Sequence, residues 1–180
     1  MIYLISDTHF NHKNIITYED RPFSSITEMN DVMIKRWNAT VKPEDIVIHL
    51  GDVGLGNESS LKYIIPSLNG HKILIRGNHD TKSKNFYLKC GFEEVMNNKL
   101  EVIDGLRVYF SHRPESRPGD GSEYDIHLYG HVHSKDYHGI YPTIARNGAC
   151  LCVERWNYTL VLLSEVLDMC KKSGIHSDDI

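Results

Sequence analysis

Five short clusters carry residues able to do chemistry: Asp7-Thr8-His9, Gly51-Asp52, Gly77-Asn78-His79-Asp80, His112 and Gly130-His131-Val132-His133. Each follows an apolar run that reads as a strand, so each sits at a strand's carboxyl end, where open α/β sheets place their chemistry. The central tetrapeptide, after Ile73-Leu74-Ile75, puts an amide, an imidazole and a carboxylate on one tight turn. Alone it would say little, because Gly, Asn and Asp are ordinary turn residues. Its company decides the matter, since separate strand ends all deliver hard or borderline metal ligands. Mixed Asp, Asn and His coordination without thiolate suits divalent transition ions, manganese foremost, with Fe, Zn, Ni or Co as alternatives. An all-oxygen set would suit Mg²⁺ or Ca²⁺ instead. A structural zinc site would saturate the metal with thiolates and imidazoles, which these clusters do not.

The elements that must position these clusters follow from pattern. Ile2 to Ser6 reads as a buried central strand, and Asp7 and His9, two apart, point the same way if extended geometry persists. Ser25 with Glu28 makes a capping box, and Ile26, Met29, Met33 and Trp37 recur at helical spacing on the face a sheet would bury. Lys42-Pro43-Glu44-Asp45 ends that helix, and Ile46 to Leu50 forms the second strand, with His49 a hydrogen-bonded core histidine. In Gly51-Asp52 the glycine lets the backbone turn so that the carboxylate projects from the sheet edge. A helix starting near Asn57 or Ser59 carries Leu61, Ile64, Ile65 and Leu68 to Asn69-Gly70. After the central turn, a short helix from about Ser83 ends at Cys90-Gly91. The pattern to this point is that of parallel βαβ units.

The second half changes character. Glu93-Val95, Leu100-Ile103, Leu106-Phe110, Ile126-Tyr129, Ala149-Val153 and Thr159-Leu163 read as short strands, with Asp104-Gly105 a hairpin turn. Few helical signals lie between them, which predicts a largely antiparallel second layer. A last helix is expected from a Ser164 cap through Cys170, with Lys171 and Lys172 in its final turn, Gly174 as its stop, and a frayed tail at residues 177–180. The expected fold is α/β and four-layered, two packed mixed β-sheets flanked by helices, with residues 1–180 a single domain.

Composition bounds the partners. The chain has 180 residues, 41% hydrophobic and 24% charged, the profile of a globular protein able to bury a substantial core. A formal charge of −4 argues against a surface for duplex nucleic acid, which needs cations to displace counterions. No apolar run approaches a membrane span, and a cleaved leader would remove Asp7, so a cytoplasmic location is expected. Four cysteines, none inside a ligand cluster, fit a reducing compartment, with Cys150 and Cys152 read as core-packing thiols.

In order, identity and spacing, the clusters from Asp7 to His133 resemble those of the calcineurin-like metallophosphoesterase superfamily. The start, Ser6-Asp7-Thr8-His9-Phe10, is similar to its small bacterial, archaeal and phage phosphoesterases. The resemblance implies two metal ions: Asp7, His9 and His133 on one, Asn78, His112 and His131 on the other, Asp52 bridging both. Such a pair, about 3.5–4 Å apart, activates a shared water and stabilises charge in an in-line displacement. His79, outside the ligand set, is then the general acid for the leaving oxygen or steadies the charge of the transition state, and Asp80 either orients it or, the favoured reading, fixes the turn. The implied activity is hydrolysis of a phosphodiester or nucleotide-type substrate by a metal-activated hydroxide. The alternatives are a phosphomonoesterase on a nucleotide or sugar phosphate, or a non-catalytic metal-binding scaffold, although degeneration of that kind should show as lost ligands. The Ser/Thr protein phosphatases extend the second motif to Gly-Asp-x-x-Asp-Arg-Gly, whereas this chain reads Gly51-Asp52-Val53-Gly54-Leu55-Gly56-Asn57, without the phosphate-gripping arginine. Substrate contacts are sought in His12 and in Arg113 and Arg117 of the Pro- and Gly-rich stretch 113–125, with Asn14 and Arg21 in reserve. The competing reading is a solvated loop whose arginines pair with neighbouring acids. Composition and spacing leave the oligomeric state open.

Overall fold

The computed structural model describes residues 1–135 and 139–173. Ten strands run in chain order: β1 (Ile2–Ile5), β2 (Ile46–His49), β3 (His71–Ile75), β4 (Phe92–Met96), β5 (Asn98–Ile103), β6 (Leu106–Ser111), β7 (Ile126–Tyr129), β8 (Ile144–Ala145), β9 (Gly148–Cys150) and β10 (Val161–Leu162). The helices are α1 (Ile15–Tyr18), α2 (Ile26–Thr40), α3 (Glu58–Ser67), α4 (Lys84–Lys89) and α5 (Leu163–Lys172), with a 3₁₀ turn at Val153–Trp156. One sheet has the order β10-β1-β2-β3-β4 and the other β5-β6-β7-β9-β8.

The expected sandwich of two mixed sheets with flanking helices is therefore present, and its two faces explain the strand compositions. Along β1, Tyr3 and Ile5 pack with Met29, Met33 and Trp37 of α2 and with Leu61 and Ile65 of α3. Leu4, between them, points the other way, into a second cluster with Val108, Phe110 and Leu128 of the facing sheet. A strand buried on both faces needs no polar alternation, which is why it reads as a continuous apolar run. Each buried Met or Leu on α2 and α3 contributes ~1.5–3 kcal/mol, more than helix propensity alone supplies.

The helix starts follow from side-chain caps. Ser25, in extended geometry, accepts from Glu28 N at 3.1 Å, but the Glu28 carboxylate returns to Ser24 N and Oγ at 2.7 and 2.6 Å, one residue short of the expected box. Asn57 caps α3 through Ser60 N, and Ser83 caps α4 through Phe86 N. Asp104 and Gly105, at φ 50° and 79°, make the hairpin turn between β5 and β6.

Several expectations are corrected. The second sheet is not largely antiparallel, because β6–β7 and β7–β9 pair parallel while β5–β6 and β8–β9 pair antiparallel. Among the described residues no helix lies between β6 and β7 or between β7 and β9 to announce a parallel crossover. The segment 93–95 belongs to β4 and extends the first sheet parallel to β3, and 161–162 joins that sheet antiparallel to β1. The 149–153 stretch is not one strand, since β9 ends at Cys150, Cys152 makes an isolated bridge to Ser6, and a 3₁₀ turn begins at Val153. Helix α5 begins at Leu163, so Leu162 holds the cap position without a side-chain bond and Ser164 lies inside the first turn. The expected stop at Gly174 and the tail lie outside the described residues. Among those described, no helix is long and apolar enough to cross a membrane.

Candidate metal centre

The carboxyl ends of β1, β2 and β3 in one sheet and of β6 and β7 in the other converge. Asp7 and His9 follow β1, Asp52 follows β2, Asn78 and His79 follow β3, His112 follows β6, and His131 and His133 follow β7. Asp7, His9, Asp52, His131 and His133 all have left-handed backbones, with φ between 49° and 74°. Non-glycine residues avoid that region, and where they are held there in numbers the surrounding structure is usually shaping a site. Gly51, at φ 98°, makes the same kind of bend where no side chain fits. A Cβ there would stand 2.7 Å from both Gly77 Cα and His112 Nδ1.

Each acidic donor has one oxygen anchored and one left over. Asp7 Oδ2 accepts from Ser6 Oγ at 2.5 Å, from His131 N at 2.9 Å and from Cys152 Sγ at 3.3 Å. Its Oδ1 makes no hydrogen bond and faces His9 Nε2 at 3.8 Å and His133 Nε2 at 3.6 Å. Asp52 Oδ1 accepts from His79 N at 2.8 Å. Its Oδ2 lies 3.7 Å from His9 Nε2 and 3.4 Å from His112 Nε2. The imidazoles are oriented in the same fashion: His112 Nδ1 donates to Leu50 O at 2.8 Å and His133 Nδ1 to Glu154 Oε1 at 3.0 Å, which leaves each Nε2 lone pair facing inward. Asn78 Oδ1 stands 3.1 Å from His112 Nε2.

These atoms form two donor triads, Asp7/His9/His133 and Asp52/His112/His131, each within a span of 4.8 Å. The fit to cations is tested by what is left unpaired. Asp7 Oδ1 and both His9 nitrogens are buried without a hydrogen-bond partner, an arrangement costly by several kcal/mol unless a cation occupies the centre. Spacings of 3.4–3.8 Å are those of neighbouring donors around one ion with bonds near 2.1 Å. Electrostatics agree. Burial acts to lower the His112 pKa, but the carboxylates of Asp52 and Asp7 outweigh it and push it up to about 9. Burial would raise Asp7, yet His9, His112 and His133 hold it well below the usual carboxylate range. The residues present therefore fit two divalent ions, with Asp52 Oδ2 placed between the two sets.

His79 sits above this floor, its side chain 45% exposed, with Nε2 4.0 Å from Asp52 Oδ2 and its ring 5.4 Å from that of His9. The Asp80 carboxylate makes no hydrogen bond to this imidazole. The Asp80 carboxylate accepts from Asp52 N, Val53 N and Gly77 N at 2.8–3.1 Å, locking the ends of β2 and β3 together. His12 also reaches the site, 5.4 Å from His9 and 6.4 Å from His79 between ring centroids. Burial and then His9 push its pKa down to about 4, so it is neutral at pH 7.

The two loop arginines are placed differently from one another. Arg113, beside His131, pairs with Glu115 at 3.3 Å. Arg117 donates to Pro114 O and Ser116 O and lies over the Tyr124 ring. Arg21 is buried and bonds Glu154 at 2.6 Å, Asp7 O at 2.8 Å and Thr8 O at 2.9 Å. It holds the backbone that carries the donors and is not open to substrate. Glu154, which orients His133 and pairs with Arg21, escaped the sequence reading: its partners lie 21 and 133 residues away, and no local spacing announces such a bond. Cys152 packs in the core as expected, and its thiol also donates to Asp7 Oδ2 and accepts from His133 N at 3.2 Å.

Residues 1–154 match the sequence profile of the calcineurin-like phosphoesterase superfamily domain. The chain is 37% identical to an uncharacterised protein of Methanocaldococcus jannaschii over 97% of its own length and 93% of the other's. Its fold is similar to the crystal structure of a protein of unknown function from Aquifex aeolicus, with a TM-score of 0.69 and 29% identity over 92% of this chain and 97% of that one.

Proposed function

The chain belongs to the calcineurin-like phosphoesterase superfamily, and on that premise we propose that it hydrolyses a phosphodiester or nucleotide-type substrate at a dinuclear centre, manganese being the favoured metal. The carrying observation is Asp52 Oδ2, which stands within 3.7 Å of a donor nitrogen from each triad. When bound, two such ions supply an activated water and a polarised phosphoryl oxygen. The chain's own residues do the rest. His79, exposed and within reach of anything seated over Asp52, donates a proton to the departing oxygen. Its backbone N–H, bonded to Asp52 Oδ1, fixes the imidazole relative to the metal floor.

A diester is favoured over a monoester on charge. A free guanidinium or ammonium at the phosphoryl site would favour a monoester dianion beyond what two divalent ions supply. Arg113 is paired with Glu115 at the surface, and Arg21 is buried and paired with Glu154. Four buried cysteines, none of them in a disulfide, accord with a reducing, cytoplasmic setting. The test is a hydrolysis panel run with Mn²⁺, comparing a phosphomonoester, bis(nitrophenyl) phosphate, cyclic nucleotides and short oligonucleotides. Diester turnover well above monoester turnover is expected. A monoester preference would promote the phosphatase alternative, and no turnover by metal-loaded protein would leave a binding scaffold.

A further inference from the structure

The outer face of the second sheet carries a cluster that the metal centre does not use. Val108, Phe110 and Leu128 point into the inter-sheet core, so by alternation Tyr109, His127 and Tyr129 of β6 and β7 project outward. Tyr124 stacks on Tyr109 with centroids 5.3 Å apart and planes at 20°. His127 lies 5.0 Å from Tyr109 and 5.2 Å from Tyr129, and Tyr141 lies 6.2 Å from Tyr129. Arg117, Tyr124, His127, Tyr129, Tyr141 and Asn147 border a cavity of about 230 Å³.

Size, chemistry, charge and position narrow the occupant. The volume is below the ~300–1,000 Å³ of sites for whole drug-sized ligands and suits one planar ring system. Aromatic walls offer faces for stacking, and the Asn147 amide, at the exposed rim, both donates and accepts, as a heterocycle's edge requires. An aromatic box could equally hold a quaternary ammonium. Here, however, the Arg117 guanidinium stands 5.9 Å from the Tyr124 centroid and would repel a cation. His127 offers no negative charge to compensate, being bonded to Ser111 Oγ and held neutral by burial and by Arg117. Position ties the cavity to the chemistry: Pro114 of its rim follows the donor His112 by two residues, and Tyr129 precedes the donor His131 by two. Two residues of chain span at most about 7 Å, so the backbone of this rim lies near that of the second triad, which puts a ring here and a phosphoryl group at the triad within the reach of one molecule.

We propose that this cavity seats the flat, uncharged heteroaromatic ring of a nucleoside, making the substrate a nucleotide or a nucleotide diester. The assignment rests on the phosphoesterase reading for the phosphoryl end, whereas ring binding needs no turnover and is measured separately. Calorimetry on the full chain with Mn²⁺ would compare two phosphonate analogues in which a P–C bond replaces the ester, that of AMP and that of ribose 5-phosphate. The AMP analogue is expected to bind at least tenfold more tightly. Asn147→Ala, at an exposed position, and Tyr124→Leu, which keeps bulk but removes the ring, should bring it to within about threefold of the ribose analogue without changing the latter. Equal affinities in the parent protein would overturn the proposal, as would a preference that survives in folded samples of both variants. Failure of the phosphoesterase reading would appear instead as absent hydrolysis of bis(nitrophenyl) phosphate, whatever the binding result.

Discussion

His79 and Asp52 divide the work at the centre by what each has free. Asp52 anchors Oδ1 on His79 N and keeps Oδ2 facing the donor nitrogens, whereas the His79 imidazole is open to solvent and to substrate. His79→Ala should therefore keep its metals and lower kcat by roughly 10²–10⁴-fold with an alkyl leaving group. The loss should shrink for nitrophenolate, which departs without a proton. Equal losses with both leaving groups, at unchanged metal content, would show that His79 binds phosphate and does not donate a proton. The donor residues were legible in the sequence because ligation tolerates few residue types and each donor lies just beyond an apolar run. Glu154 and Arg21 were not, because a buried ion pair between residues 133 apart depends on tertiary placement alone. The placing of Arg117 was not legible for a related reason: nearness to His112 in sequence does not set the direction of the loop's side chains, and Arg117 turns onto the Tyr124 ring at the border of the outer cavity.

At the level of elements, the turn after β3 is held by its own Asp80, which also ties it to the end of β2. Three backbone N–H groups converge on that carboxylate, which is 1% exposed. Asp80→Ala would strand all three, so a loss of about 3 kcal/mol or more is expected in denaturant unfolding, accompanied by weaker retention of both ions. Unchanged stability would mean that water replaces the carboxylate without cost. On β7, burial followed by Arg117 lowers the His127 pKa from 6.5 to about 4. A group depressed in the fold binds fewer protons folded than unfolded, so its contribution is whole above pH 6.5 and is lost as pH falls through about 4. Between pH 7 and 4.5 the metal-free protein should lose about 2–3 kcal/mol more than its His127→Gln variant. Parallel pH profiles for the two proteins would remove His127 from the account. The helices and first strands were legible from caps and periodicity. The sheet membership of β4 and β10 was not, because a short apolar strand carries the same pattern whichever sheet it joins, and only pairing partners distant in sequence distinguish them.

For the molecule as a whole, the two triads act as clasps between sheets. Asp7 and His9 come from the end of β1 but His133 from beyond β7, and Asp52 follows β2 while His112 and His131 follow β6 and β7. No ion can be held by one sheet alone. The same ends store five left-handed backbones and buried, unpaired donor atoms, all of which oppose folding until cations arrive. Stability should accordingly depend on metal to a degree unusual for a chain with so large an apolar core. Occupancy at a hundredfold excess over Kd contributes ~2.7 kcal/mol per site, and two sites in a protein of this size correspond to a rise in Tm on the order of 10 °C or more. Chelation should remove that increment and manganese should restore it. Asp52→Asn should lose most of it in one step, because its carboxylate serves both sets, whereas His133→Ala should lose about half, with elemental analysis falling from two ions toward one. If chelated and metal-loaded proteins melted together, the donor atoms would have to be satisfied by water within the cleft, and the clasp between the sheets would have no energetic content.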